Sequence, residues 1–386
     1  MKALLLPVML ASLWSAALGQ VPGTALASPE VHSDRTVTFR LAAPKAAEVT
    51  LTTDWLPTNA TQKMEKSPDG IWSVTVGPLA PTGYIYSFNV DGLAIADPVN
   101  PLIKLRARGS GSIVEVPAAT PSVWELQAVP HGTVEINWQQ SKVLGGEARQ
   151  VFIYTPPGYA QSPGRRYPVL YLLHGNNDTA AGWTTAGHAH LMLDNLLAQN
   201  KAVPMIVVMP FGHALPYGTR TAGGRSNTQV FEDYLLQDVM PLVEARYRVA
   251  AGREQCAIAG LSMGGDQASH IFFRNLDRFC ALGAFSPAGL PNLATEYPVL
   301  LNDPAGTNAK IALLWLACGR QDQNLNFFPN TERFAALLTQ HQINHFWNPT
   351  EGFHNFATWR QNLADFAPLL FRGVPALVGA RTPKGG

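Results

Sequence analysis

The chain has 386 residues, 46% of them hydrophobic, with 28 basic against 27 acidic side chains. That length is too great for one small domain and implies two, with ample apolar residue for large cores. A near-neutral chain without a basic cluster has no electrostatic footprint for nucleic acid, and no run of about 18 apolar residues offers a membrane span.

Met1-Lys2, an apolar run from Ala3 to Leu13 and the small residues ending Ala17-Leu18-Gly19 predict a secretory signal peptide over residues 1–19. The mature protein is then secreted or periplasmic. Export would favour disulfides, yet there are only three cysteines. Cys256 and Cys280 fall near the starts of neighbouring predicted parallel strands, where a bridge is conceivable but strained. Cys318 reads as a small apolar residue.

Residues 31–116 have an all-β texture. Thr36–Leu41, Glu48–Thr52, Ile71–Val76 and Tyr84–Val90 alternate, and Pro68-Asp69-Gly70, Pro81-Thr82-Gly83 and Asp91-Gly92 punctuate them as turns. Strands at this spacing predict a β-sandwich. Of its aromatics, Trp72 alternates along a strand and reads as core, whereas Trp55, in a loop, has the better chance of facing a ligand. Residues 117–124, with Ala118-Ala119-Thr120-Pro121-Ser122, read as a linker. Residues 125–371 form the second domain and 372–386 a tail. Beyond Tyr167, apolar strands alternate with helical patterns, notably Gln229 to Tyr247, which predicts a mostly parallel sheet with helices on both faces.

In that domain Gly260-Leu261-Ser262-Met263-Gly264 follows an apolar strand and precedes a helical pattern. Strand, tight turn and helix are the context of a nucleophile elbow, with glycines where bulk would clash. Ser262 is therefore the candidate nucleophile, near the positive end of the following helix. A serine hydroxyl needs a base, and the base needs an orienting acid. The strand Ile311–Ala317 runs out into Cys318-Gly319-Arg320-Gln321-Asp322, so Asp322 stands where the acid belongs. After an amphipathic segment (327–341) and a strand (343–349), the loop Glu351-Gly352-Phe353-His354-Asn355 presents His354 as the base. Asp303, in a turn-like segment, and Glu351, too close in sequence to fold onto the ring, are the rival acids.

Leu172-Leu173-His174-Gly175-Asn176 ends the strand that begins at Tyr167, in the position of an oxyanion loop. The backbone N–H groups of Met263, Gly175 and Asn176 are the expected donors, and His174 is expected to be structural. His188 and His190 lie two apart on a predicted helix, so they point to different faces, and no Glu or Cys completes a ligand set. No metal and no cofactor are expected.

Several segments carry a family resemblance. They are Val129-Pro130-His131-Gly132, Arg149 with Val151-Phe152-Ile153-Tyr154-Thr155-Pro156-Pro157-Gly158-Tyr159, Tyr167-Pro168-Val169-Leu170-Tyr171-Leu172-Leu173-His174-Gly175, Pro204 to Pro210, the serine elbow, and Gly352-Phe353-His354-Asn355 with Trp359-Arg360. Through them the second domain resembles esterase D-type α/β-hydrolases, the group of carbohydrate esterase family 1 feruloyl and acetylxylan esterases and of enterochelin esterase. Residues 31–116 are similar to immunoglobulin-like E-set domains related to family 48 carbohydrate-binding modules, through Gly70-Ile71-Trp72, Tyr84 to Gly92 and Asp97-Pro98-Val99-Asn100-Pro101.

The resemblance implies an α/β-hydrolase fold behind an immunoglobulin-like β-sandwich, and a triad of Ser262, Asp322 and His354. It implies a serine esterase acting on feruloyl or acetyl esters of plant cell-wall polysaccharide, with glycan contact by the N-terminal domain an open expectation. An enterochelin-type siderophore esterase and an acyltransferase of the same fold are the alternatives. The siderophore reading needs cations for an anionic ligand, and Arg220 and Arg225 are the nearby candidates. Phe353 stands where the family often has a small residue. With Trp183, Phe211, His213 and Tyr217 it forms the expected substrate wall, an aromatic surface suited to a feruloyl ring.

Overall fold

A computed structural model of the chain describes residues 26–56, 60–323 and 326–372, so the predicted signal peptide lies outside the described residues, as does all but Arg372 of the predicted tail. The N-terminal part is built of two antiparallel sheets. One has the strand order Glu30–Val31, Val37–Ala42, Ile71–Val76, Glu65–Lys66. The other runs Thr61–Lys63, Val49–Thr53, Thr82–Val90, Ser110–Val116, Ile103–Leu105, with Leu93–Ile95 paired to Thr82–Val90. Val37, Phe39 and Leu41 of the first sheet share a core with Leu51, Tyr86, Phe88 and Val114 of the second. These sets sit at every second position of their strands, which is what puts them on one face.

Trp72 lies in this core, its indole N–H donating to the Ala43 carbonyl at 3.0 Å. Trp55 corrects its expectation. It packs against the same core, 6.0 Å from Phe39 and 5.3 Å from Tyr84 between ring centroids, and is not a free aromatic platform.

The second part holds one eight-stranded sheet. Its strands are β1 (Thr133–Gln140), β2 (Ala148–Thr155), β3 (Val169–Leu173), β4 (Ile206–Pro210), β5 (Cys256–Leu261), β6 (Ala281–Phe285), β7 (Leu313–Gly319) and β8 (Phe346–Thr350). The order is β1-β2-β4-β3-β5-β6-β7-β8, antiparallel at β1-β2 and β2-β4 and parallel from β4 onward. Strands β3 to β7 read as unbroken apolar runs because both faces are covered. Val169, Tyr171 and Leu173 point to one core, and Leu170 and Leu172 to the other. The antiparallel edge strand β1 was not expected from the sequence.

Five helices matter here: α1 (Ala189–Ala198), α2 (Asn227–Tyr234), α3 (Met263–Arg274), α4 (Phe327–Gln340) and α5 (Phe356–Phe366). Helices α2, α3 and α4 cover the first face through Phe231, Phe272 and Phe334, and α1 and α5 cover the second through Leu193 and Leu363. The predicted long helix from Gln229 to Tyr247 is one run from Asn227 to Arg246 with a π segment at Leu235–Val239. Pro241 stands two residues past that segment, and a proline that lacks an N–H and crowds the preceding turn is a sufficient reason for that widening.

The two parts share more than a linker. Ile85 and Ile113 of the N-terminal sheets belong to the second core of the large sheet. Arg360 of α5, 1% exposed, makes a bidentate pair with Glu115 at 2.7 and 3.0 Å and donates to the Ala186 carbonyl at 2.8 Å. A Cβ on Gly83 would stand 2.6 Å from both Arg360 Nη1 and Glu115 Oε1, so glycine leaves room for the pair. The segment expected as a linker is also docked, with Asn195 of α1 donating to the carbonyls of Val123 and Glu125.

Candidate active site

Ser262 joins β5 to α3 with φ +52° and ψ −118°, a backbone conformation that a side chain adopts only under strain. Contacts fix it. A Cβ on Gly260 would lie 2.3 Å from the Gly264 carbonyl, and one on Gly264 would lie 2.6 Å from the carbonyl oxygens of Leu173 and His174. The turn is thus pressed onto the end of β3. The Ser262 N–H donates to Phe285 on β6, and its carbonyl accepts from Ala288.

Asp322 leaves the end of β7 and His354 the loop after β8, and both meet Ser262. His354 Nε2 is 2.9 Å from Ser262 Oγ, and His354 Nδ1 is 2.7 Å from Asp322 Oδ2. Asp322 is fully buried and Ser262 only 8% exposed. The imidazole is boxed in by rings: Phe327 lies parallel to it at 4.4 Å and 12°, and Trp359 presents an edge at 4.9 Å. Asn355 caps α5 through the Thr358 N–H, and its Nδ2 reaches the Asp54 carbonyl of the N-terminal part at 2.9 Å. The rival acids are engaged elsewhere. Asp303 caps the helix Pro304–Lys310, and Glu351 pairs with Arg320 and Gln321.

At the end of β3, His174 is a brace between two loops. Its Nε2 accepts from the Gly212 N–H and its Nδ1 donates to the Gly175 carbonyl, both at 2.8 Å. Burial pushes this imidazole down from 6.5 to about 4, so it stays neutral. The Gly175 N–H is turned toward Asp178 Oδ2 at 3.2 Å. Among the described residues, the N–H groups of Asn176 and of Met263, the first residue of α3, have no acceptor within the protein. The first-turn N–H groups of a helix are unsatisfied by construction, and they suit a developing negative charge.

The expected wall residues divide. Trp183 is fully buried, its indole N–H donating to the Leu173 carbonyl at 2.9 Å, between Phe285 and Phe356. It is core, with no surface to offer a ligand. Phe211 is half-buried against His174, with the Arg149 guanidinium 5.6 Å from its ring. His213 Nε2 donates to the Asn176 carbonyl at 2.8 Å, and the exposed Tyr217 accepts from Asn176 Nδ2 at 2.9 Å. Phe353 is half-buried, its carbonyl accepting from the Asn355 N–H and the Thr358 hydroxyl. Arg220 and Arg225 are tied to a local carbonyl and to Asp233. Arg108, which the sequence did not single out, lies 3.7 Å over the Tyr217 ring.

His188 bonds to the Trp124 carbonyl, and no group of three or more His, Cys, Asp or Glu that could hold a metal occurs among the described residues. Cys256, Cys280 and Cys318 are free thiols. A serine hydroxyl, an imidazole within reach of it, a buried carboxylate on the far nitrogen and two free N–H groups form a set able to attack an acyl carbon and hold the resulting oxyanion.

The family model described as "Putative esterase" matches residues 141–370. An endo-1,4-beta-xylanase/feruloyl esterase of Xylanibacter ruminicola is 28% identical over 354 residues, which is 89% of this chain and 46% of the relative. The chain thus spans about half, or less, of the curated relatives it matches. Among solved structures, a ferulic acid esterase is 25% identical with a TM-score of 0.55, over 64% of this chain and 99% of the other. The enterochelin esterase of Shigella flexneri is 17% identical with a TM-score of 0.65, over 89% of this chain and 95% of the other, a likeness of fold.

Proposed function

The chain belongs to the esterase family whose model matches residues 141–370; from that premise we infer that it is a carboxylic ester hydrolase with Ser262, His354 and Asp322 as its catalytic triad. The observation that carries the reading is the continuous hydrogen-bonded line from Ser262 Oγ through both nitrogens of His354 to Asp322. His354 takes the proton of Ser262 as the oxygen attacks the ester carbon, while Asp322 holds the ring in the tautomer that leaves Nε2 free to accept. The Met263 and Asn176 N–H groups receive the oxyanion. His354 then protonates the departing alcohol, and water, activated by the same imidazole, releases the acid and frees Ser262. None of these steps calls on a cofactor.

The substrate is a feruloyl or acetyl ester of plant cell-wall polysaccharide. The name of the Xylanibacter relative supports this, because its similarity runs through both parts of the chain. Phe211, Tyr217 and Phe353 remain as the aromatic wall for the acyl ring. Export by residues 1–19 and an immunoglobulin-like E-set fold for residues 31–116 complete the reading. The N-terminal part acts in substrate shaping rather than as an independent glycan binder, since Trp55 is packed away.

A second reading, an enterochelin-type esterase, has one observation in its favour. Arg108 and Arg149 bring guanidinium groups to Tyr217 and Phe211, cations that an anionic catecholate would use. Turnover of methyl ferulate, an aryl acetate and a catecholate ester, each against Ser262→Ala, separates the two. Serine-dependent cleavage of the first or second supports the cell-wall reading, and preference for the third replaces it with the siderophore one.

A further inference from the structure

The geometry points to Lys104, a residue of the N-terminal part, as a positioning residue for the oxyanion loop of the other part. This rests on the site reading given above. Lys104 lies on the strand Ile103–Leu105, is 4% exposed, and forms an ion pair with Asp178 Oδ1, itself buried. The other oxygen of Asp178 accepts the Gly175 N–H at 3.2 Å, and the Asp178 N–H donates to the Gly175 carbonyl at 3.0 Å. Residues 175–178 are therefore closed into a turn around one carboxylate, and Asn176 sits inside that turn.

Two further contacts from the same hairpin reach the same loop. The Ala107 N–H donates to the Asn177 carbonyl at 3.3 Å. Arg108 covers Tyr217, whose hydroxyl accepts from Asn176 Nδ2. The loop carrying one of the two oxyanion donors is thus gripped from outside its own domain.

The energetics assign the leading role to the buried pair. A carboxylate out of water is stable only with a counter-charge, and removing the partner of such a pair leaves it uncompensated. Without the ammonium, Asp178 either takes up a proton or turns toward solvent. Both outcomes weaken its hold on Gly175, and the Asn176 N–H then moves relative to Ser262. Catalysis is steep in that coordinate: a misplacement of about 1 Å costs roughly 100-fold. Lys104 touches no reacting atom, so its effect belongs in turnover rather than in ground-state binding.

The test uses the full chain with Lys104→Met, Asp178→Asn and the double variant, on an aryl acetate, with circular dichroism and thermal melting as the check on folding. The expected result is a fall in kcat of roughly 10- to 100-fold with KM changed less than about threefold, from loss of most of one oxyanion donor. The double variant should be no slower than the slower single one, because both act through one link. A folded Lys104→Met with kcat within about twofold of the parent overturns the inference, as do losses that multiply in the double variant. If Lys104→Met does not fold, Asp178→Asn, almost unchanged in shape, carries the same test, and unchanged kcat there overturns it. Ser262→Ala runs alongside. Activity that survives it refutes the underlying site reading, whereas serine-dependent activity indifferent to Lys104 refutes this inference alone.

Discussion

Glu115 and Arg360 form a contact between the two parts of the chain whose two ends are unequal. The Arg360 side chain is 1% exposed and that of Glu115 is 32% exposed. Glu115→Gln removes the counter-charge from a guanidinium that cannot shed its proton, leaving it one amide oxygen and the Ala186 carbonyl as acceptors. Stranding a buried charge costs about 3–5 kcal/mol, and because Glu115 is a third exposed the low end, about 3 kcal/mol, applies. Arg360→Met strands less. Glu115 turns to water, and the main loss is the unsatisfied Ala186 carbonyl and the hydrogen bonds, about 1–2 kcal/mol. The more exposed residue is therefore the costlier one to change. Urea unfolding of both variants, followed by tryptophan fluorescence, should give the lower midpoint for Glu115→Gln. A midpoint for Arg360→Met equal to or below it refutes the reasoning.

Two further outcomes follow from the site. Phe327→Ala removes the ring stacked on His354 and should lower kcat roughly tenfold with little change in KM, because the imidazole loses a fixed orientation; unchanged steady-state kinetics would make that ring mere filling. Burial holds His174 down from 6.5 to about 4, so the unfolded chain takes up a proton there that the folded chain refuses, and stability falls as pH drops from about 6.5 to about 4, by about 3 kcal/mol at the low end. In His174→Gln the dependence of unfolding free energy on pH should flatten across that window, and an unaltered slope contradicts the account.

What could be read from the chain was what local chemistry dictates. The serine elbow announces itself because Gly260 and Gly264 have no room for a Cβ, and Asp322 and His354 because each stands just past a short apolar strand. The aromatic residues were read less well. Trp55 and Trp183 look alike in sequence to residues that face ligand, but a ring's surroundings are set by distant partners, Phe39 and Tyr84 for one, Phe285 and Phe356 for the other. Phe327 and Lys104 had no signal at all. One meets His354 across 27 residues of chain, and the other meets Asp178 across 74, through packing that no periodicity encodes. Strand β1 did carry a signal that was passed over, Val134, Ile136 and Trp138 alternating with Glu135, Asn137 and Gln139, although as an edge strand it leaves Ile136 and Trp138 exposed.

The central claim is that Ser262 is the nucleophile of an ester hydrolase, and covalent trapping tests it most directly. The full chain is treated with a fluorophosphonate, residual activity on an aryl acetate is followed, and the adduct is mapped by peptide mass spectrometry. The account predicts one adduct, on Ser262, with activity lost in proportion to labelling, and neither labelling nor turnover in Ser262→Ala. Inactivation with the adduct on another residue, or ester turnover undiminished in Ser262→Ala, would contradict it.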